Sequence, residues 1–304
     1  MIRAETLTKY YGKTKGIENI SFSVEDGELF GLIGPDGAGK TTAFRILTTL
    51  LIPDEGKGSI GGLDVVKDYK KIRKNVGYMP GRFSLYQDLS VEENLNFYAR
   101  IFNTSIEENY HLVKDIYQQI EPFKKRLAGN LSGGMKQKLA LSCALIHSPA
   151  YLFLDEPTTG VDAVSRKEFW EMLKKLQQKG ITIMVSTPYM DEAGLCDRVA
   201  LMQKGSILSI DTPEGIVHAY EKDLYSVKAK DMFSLKEDLQ NYENTRSVFR
   251  FGESLHFAPE SGNKEPGQLK KYLQDRGHEN PFFEKIEASI EDAFMAQMMK
   301  ENND

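Results

Sequence analysis

The run Gly34-Pro35-Asp36-Gly37-Ala38-Gly39-Lys40-Thr41-Thr42 holds the residue types that a polyanion needs. It fits the spacing G-x-x-x-x-G-K-[ST]. Glycines here let backbone N–H groups turn inward around phosphate oxygens, and a helix opening at the end of the run adds partial positive charge. The Lys40 ammonium is a point charge for β- and γ-phosphates, and the Thr41 hydroxyl is placed to ligate Mg²⁺. Further along, Asp155 and Glu156 close the run Tyr151-Leu152-Phe153-Leu154. A carboxylate at the end of a buried strand can hold the Mg²⁺ water shell, which is the role of Asp155, and Glu156 beside it can polarise an attacking water. A solvated turn also carries adjacent acids. Four apolar residues ahead of this pair aim it instead at the carboxyl edge of a sheet, where ligands bind.

The surrounding pattern supplies the elements that must hold these groups. Residues 2–8 and 17–24 alternate as strands do, and Leu29–Ile33 is a short apolar run that reads as a buried strand leading into the glycine-rich turn. A helix is predicted over 41–51, stopping before Pro53. Ser90 with Glu93 three positions later is a capping-box pattern, and it opens a polar-rich helix over 90–119. Residues 139–145 continue as a helix up to Pro149, 151–154 form a second buried strand, 165–179 an amphipathic helix closed by Gly180, and 181–185 a third strand. Residues 199–202 and 207–210, split by Lys204-Gly205, read as a hairpin. Strands alternating with helices imply a parallel sheet covered on both faces.

The character changes after about residue 220. Residues 225–228 and 247–251 read as strands, 231–241 and 267–276 as helices, and 261–266 as a polar loop. A last helix is predicted over 284–300, with Ile286, Ile290, Phe294 and Met298 on one face. Residues 1–220 are thus expected to form a nucleotide-binding domain and 221–304 a small α+β domain. No internal repeat is visible.

The chain has 304 residues, 40% apolar and 27% charged, with a net charge of -5. That is ordinary for a globular protein, and without a long Lys/Arg run it argues against nucleic acid as a partner. No apolar run reaches the ~18 residues needed to span a bilayer. The first residues lack a signal-type segment, so a cytosolic chain is expected. Cys143 and Cys196 fit a reducing compartment as small buried thiols.

A phosphate loop alone leaves kinases, GTPases, helicases and transporters open. Leu131-Ser132-Gly133-Gly134-Met135-Lys136-Gln137, lying ahead of Asp155, resembles the signature of the ABC ATPase family. Tyr11, in Tyr10-Tyr11-Gly12-Lys13, resembles the aromatic that stacks on adenine, and Thr159-Gly160-Val161-Asp162 the loop joining two active sites. The resemblance covers residues 1 to about 220. It implies an α/β P-loop NTPase cassette with a parallel core sheet, an antiparallel β-subdomain and a helical subdomain at about 85–148. It also implies that Ser132, Gly133 and Gly134 form a second anion-binding helix end, which faces the phosphate loop of a partner cassette. ATP and Mg²⁺ would then sit between two such domains, and ATP hydrolysis would drive an integral membrane permease. Phe83–Val91, Tyr189-Met190-Asp191-Glu192-Ala193 and Ser289-Ile290-Glu291-Asp292-Ala293-Phe294 resemble subunits serving drug- and antibiotic-exporting permeases. The expected location is the cytoplasmic face of the plasma (inner) membrane, reached through the permease. The alternative is a soluble ABC ATPase acting on ribosomes or DNA. Such proteins usually carry two cassettes or long charged arms. A P-loop kinase would have no use for the Leu-Ser-Gly-Gly element.

Two positions depart from the family pattern. After Val76-Gly77-Tyr78-Met79-Pro80 the family usually places Gln, which contacts Mg²⁺ and the attacking water; here it is Gly81. After Val185-Ser186-Thr187 it usually places His, which holds the γ-phosphate and Glu156; here it is Pro188. Proline offers no side-chain donor and no backbone N–H. His111, His147, His218, His256 and His278 all lie away from that position in sequence. The expectation is a site that binds ATP and turns it over slowly, paired with a different cassette, while an active homodimer that tolerates both residues stays open. The last segment carries no chemical motif. It is expected to pack and to aid dimerisation, with Phe282-Phe283 in its core.

Overall fold

The computed structural model describes residues 1–260 and 266–301. These divide into two compact units, Met1–Pro213 and Glu214–Asp304.

In the first unit, strands β1 (Ile2–Tyr11) and β2 (Thr14–Val24) pair antiparallel, joined through a turn at Gly12. Strand β3 (Leu29–Ile33) leads into helix α1 (Lys40–Leu47). Next come β4 (Glu55–Ile60), β5 (Leu63–Asp64), helix α2 (Tyr69–Asn75) and β6 (Val76–Met79). The helices α3 (Val91–Ile101), α4 (Ile106–Tyr117) and α5 (Gly133–Leu145) follow. The unit then returns to α/β order with β7 (Tyr151–Asp155), α6 (Ala163–Gln178), β8 (Thr182–Thr187), β9 (Arg198–Gln203) and β10 (Ser206–Asp211), and α7 (Pro213–His218) begins at the boundary between the two units.

Two sheets organise these strands. One runs β2-β1-β4-β5 and is antiparallel throughout. The other runs β10-β9-β3-β8-β7-β6, parallel except for its β10 edge. Every residue of β3 and β8 is buried. Central parallel strands covered on both faces have to be apolar on both faces, which is why Leu29–Ile33 shows no alternation. Phe44 of α1 meets Phe153 of β7 edge-on at 5.5 Å between centroids, so the helix after the glycine turn is keyed to the strand that ends in Asp155.

The second unit is an antiparallel sheet ordered β12-β13-β11-β14 from β11 (Leu224–Lys228), β12 (Thr245–Phe251), β13 (Ser254–Pro259) and β14 (Phe282–Ile286). Helices α8 (Met232–Gln240) and α9 (Pro266–Asp275) supply Leu235, Leu239, Leu269 and Leu273 to its core. Helix α10 (Ile290–Glu301) closes the described chain.

Several predicted elements change. The single helix over 90–119 is two, α3 and α4. Asn103 turns to φ 55° between them, and the Ser105 hydroxyl accepts the Glu108 N–H to start a new helix. Apolar periodicity runs through the break because both helices pack on α5. The capping box is present, with the Ser90 hydroxyl accepting the Glu93 N–H and the Glu93 carboxylate accepting the Ser90 N–H. The last helix does not begin at 284: Leu224–Lys228 pairs with Phe282–Ile286 as a strand, and the helix starts only after Ser289. Phe283 stacks on Tyr225 at 4.6 Å, but Phe282 is half exposed, which corrects the expectation that both are core. The polar loop expected over 261–266 lies, up to residue 265, outside the described residues. Cys143 and Cys196 are buried, free thiols, and burial pushes both well above the ordinary thiol range.

Candidate functional site

The glycine-rich run lies between the last residue of β3 and the first of α1, at the carboxyl edge of the parallel sheet. Two of its glycines are there of necessity. A Cβ on Gly34 would come within 2.2 Å of the Met202 carbonyl oxygen, and Gly39 sits at φ +102° with a Cβ position 2.6 Å from the Gly16 carbonyl. Only glycine fits such a backbone approach or adopts such a φ without strain. Pro35, Asp36 and Gly37 are exposed, Ala38 is buried, and α1 begins at Lys40 with no side-chain cap and no acid in its first turn. The first N–H groups of a helix need an acceptor, and an anion is the acceptor that suits them.

A cavity of about 380 Å³ opens over this helix start. Its lining brings together Tyr11, Asp36, Gly37, Ala38, Gly39, Lys40, Thr41, Thr42 and Glu156, and adds Lys15 and Gly16, which motif reasoning overlooks. Tyr11 is about half exposed, with its hydroxyl 3.4 Å from the Thr42 hydroxyl. The Lys40 ammonium is buried. It donates to the carbonyls of Gly34 (2.7 Å) and Pro35 (3.1 Å) and lies 3.2 Å from Glu156 Oε1.

Asp155 ends β7 and is buried. Its Oδ1 accepts the Thr41 hydroxyl at 3.1 Å and the Ser186 hydroxyl at 2.6 Å. Hydroxyl and carboxylate oxygens are hard donors, and Thr41 with Asp155 therefore fits Mg²⁺ chemistry rather than that of a thiophilic metal. The Tyr78 hydroxyl lies beside Asp155 and Arg45, and burial pushes its pKa up to about 12. Glu156 takes φ 50°, a left-handed conformation that costs a non-glycine residue about 1–2 kcal/mol. Its N–H donates to both the carbonyl and the hydroxyl of Ser186, each at 3.0 Å. Sequence reasoning missed Ser186. Its only signal is a position at the end of the third strand, on the same sheet edge as Asp155.

Gly81 follows β6, and an added Cβ there would stand 3.1 Å from the Asp155 carbonyl oxygen and 3.7 Å from Glu156 Cβ. The position thus abuts the acid pair while presenting no side chain to it. Pro188 comes directly after β8 and is half-buried. The segment beyond it is pinned. Thr187 donates to Glu192 Oε2 at 2.5 Å, and the Tyr189 N–H donates to the Thr187 hydroxyl at 3.1 Å. The Arg166 guanidinium lies 4.8 Å from the Tyr189 ring centroid and 3.4 Å from Asp191.

The remaining predicted residues do not line the cavity. Ser132 caps α5 through the Met135 N–H at 3.4 Å, with Ser132 and Gly133 exposed and Gly134 buried. Asp162 caps α6 by accepting the N–H groups of Val164 (3.1 Å) and Ser165 (3.0 Å). The Ser165 bond above all holds its carboxyl below the ordinary range. Within one chain, the structure therefore brings the glycine cradle and the two acids together and leaves the Ser132 helix start and Asp162 facing elsewhere.

The family described as ABC transporter matches residues 17–159. The probable multidrug ABC transporter ATP-binding protein YbhF of Escherichia coli (strain K12) is 38% identical over 218 residues, covering 71% of this chain but only 38% of YbhF. The chain thus spans well under half the length of that relative. The Nod factor export ATP-binding protein I of Burkholderia thailandensis is 33% identical over 304 residues, covering 99% of this chain and 97% of that protein. The daunorubicin resistance ATP-binding protein DrrA2 of Streptomyces coeruleorubidus is 36% identical over 219 residues, 71% of this chain and 68% of its own. Among solved structures, an ATP-binding subunit of an ABC transporter aligns with a TM-score of 0.66 at 26% identity over 72% of this chain and 93% of that chain. A dimeric cassette in a post-hydrolysis state bound to ADP and Pi aligns at 0.63 and 25% identity over 70% of this chain and 98% of that chain. With the glycine cradle, the acid pair and the helix-capping serine found in one cassette fold, the chain belongs to the ATP-binding subunits of the ABC transporter family.

Proposed function

We propose that this subunit powers an exporter by binding ATP–Mg²⁺ in a composite site between two cassettes, with its own half of that site hydrolysing slowly. ATP hydrolysis is the activity of the family. Export is supported by relatives named for multidrug transport, daunorubicin resistance and Nod factor export. Lys40 and the uncapped start of α1 receive the β- and γ-phosphates, and Tyr11 offers its exposed ring to the adenine. Thr41 and Asp155 would hold Mg²⁺, which would supply positive charge to offset that of the phosphates. Glu156 orients and polarises the attacking water. Ser132, Gly133 and Gly134 present a second helix start that has no use inside its own chain and suits the γ-phosphate held by a partner. Asp162 opens the helix that follows the connecting loop. A separate membrane permease takes up the motion; among the described residues no helix is long and apolar enough to cross a membrane. That arrangement sets the chain on the cytoplasmic face of the plasma (inner) membrane.

The observation that carries the slow half-site is Gly81. The position abuts Asp155 and Glu156, yet it places no amide there to hold the water, and Pro188 supplies no imidazole. Loss of one transition-state contact typically costs ~10²–10³ in rate. A second, complete cassette is the partner that restores turnover. The test is phosphate release by the purified chain. The expected result is tight ATP binding with turnover far below that of a reconstituted pair of unlike cassettes. Rapid hydrolysis by the chain alone, abolished by Glu156→Gln, would sink the slow-site reading.

A further inference from the structure

Outside the contacts that nucleotide itself requires, one buried hydroxyl touches both acids. Ser186 is fully buried at the carboxyl end of β8. Its Oγ donates to Asp155 Oδ1 at 2.6 Å and accepts the Glu156 N–H at 3.0 Å. A serine hydroxyl has one proton and two lone pairs, so both contacts are made at once, and the proton is committed to the carboxylate. Hydrogen bonds to an ionised acceptor are short and about twice as strong as neutral ones, and this one is the shorter of the two that Asp155 Oδ1 accepts.

We propose that Ser186 is a positioning residue for ATP hydrolysis, acting on the metal-holding and water-polarising acids through a single oxygen. This rests on the roles given above to Asp155 and Glu156. The Asp155 contact fixes the orientation of the carboxylate that would hold the metal. The Glu156 N–H is shared between the Ser186 hydroxyl and the Ser186 carbonyl, each at 3.0 Å, and the hydroxyl adds to the hold on the left-handed backbone that aims the Glu156 side chain. Groups that orient a metal ligand from behind typically contribute 10–100-fold to affinity or activity. The arrangement also explains how a site with Gly81 and Pro188 keeps an ordered acid pair: the strand that ends at Thr187, just before Pro188, orients both acids through Ser186.

The test compares wild type with Ser186→Ala, Ser186→Thr and Ser186→Cys as full-length chains, each alone and with its partner cassette. Two quantities are read. One is the enhancement of ATP affinity on titration with Mg²⁺, which needs no hydrolysis. The other is the split between kcat and KM. Expected for Ser186→Ala are unchanged metal-free ATP binding, a half-saturating Mg²⁺ concentration raised roughly tenfold or more, and kcat lowered by roughly 10–100-fold at similar KM. Ser186→Thr, which keeps the hydroxyl, restores both. Ser186→Cys keeps the volume but donates weakly, and should follow Ala even if Ala folds poorly. If Ser186→Ala or Ser186→Cys shows wild-type Mg²⁺ dependence and kcat, or if Thr behaves like Ala, the residue only fills space and the proposal fails. Fast turnover by the wild-type chain alone would overturn the slow half-site while leaving these ratios to judge Ser186 independently.

Discussion

Lys40 and Glu156 lie 3.2 Å apart in one cavity, and on the slow-site reading position 81 governs how much help the acid receives. A glutamine there would begin 3.1 Å from a backbone carbonyl, a contact relieved by a shift of a few tenths of an ångström. Its amide would then reach the water beside Glu156, and a histidine at 188 would supply the γ-phosphate contact. The double change Gly81→Gln with Pro188→His should raise turnover by the isolated chain roughly 10²-fold while ATP affinity stays near wild type. Steady-state phosphate release checks this, and an unchanged rate in a folded double variant would mean that the missing side chains do not limit the chemistry. The glycine cradle, Lys40, Asp155 and Glu156 were legible in the sequence because each depends on a local run of residues. Ser186 was not, because its role arises only when β7 and β8 lie side by side and an ordinary serine falls opposite an aspartate.

Helix starts set much of the architecture, and each has a measurable signature. Ser105, Ser132, Asp162 and Asp231 all accept N–H groups in the first turn of the helix they open. Asp162 does so as an anion, which complements the helix dipole. Because its folded pKa is depressed, its charge contributes stability above the ordinary carboxylate pKa of roughly 3.9, and that contribution vanishes as the pH falls through the folded value. Urea unfolding of wild type and Asp162→Asn across pH 3–7 should show a gap that is constant near neutrality and closes in acid. A gap that widened in acid would contradict the depressed pKa. Ser90 anchors α3 in the same way through a reciprocal pair, and Ser90→Ala should cost about 1 kcal/mol in the same assay. The cap at Ser90 was visible as a motif, the helix predicted over 139–145 begins earlier, at Gly133 behind Ser132, and the alternating strands at the N-terminus read correctly. The break at Asn103 was hidden because one apolar stripe serves two helices. The strand Phe282–Ile286 was hidden because its apolar residues also fit a helical face, and only pairing with Leu224–Lys228 decides between the two. Where two periods fit equally well, the distant partner chooses.

At the scale of the molecule, the proposed reading makes the cradle at Lys40 and the helix start at Ser132 separate halves of one anion site, with one of each on every chain. ATP should therefore act as an adhesive between cassettes. In Glu156→Gln with ATP–Mg²⁺, sedimentation should shift from monomer toward dimer, alone or with the unlike partner. Ser132→Arg and Lys40→Ala should each prevent the shift. Monomers persisting in every mixture, with nucleotide bound, would refute a shared site. The ammonium of Lys40, meanwhile, is spoken for: two carbonyls and the Glu156 carboxylate share it. On the role proposed for Glu156, a triphosphate that engages Lys40 would compete with that carboxylate for the same cation and so release the acid. The subunit would then work as an interlock whose key is the fuel itself.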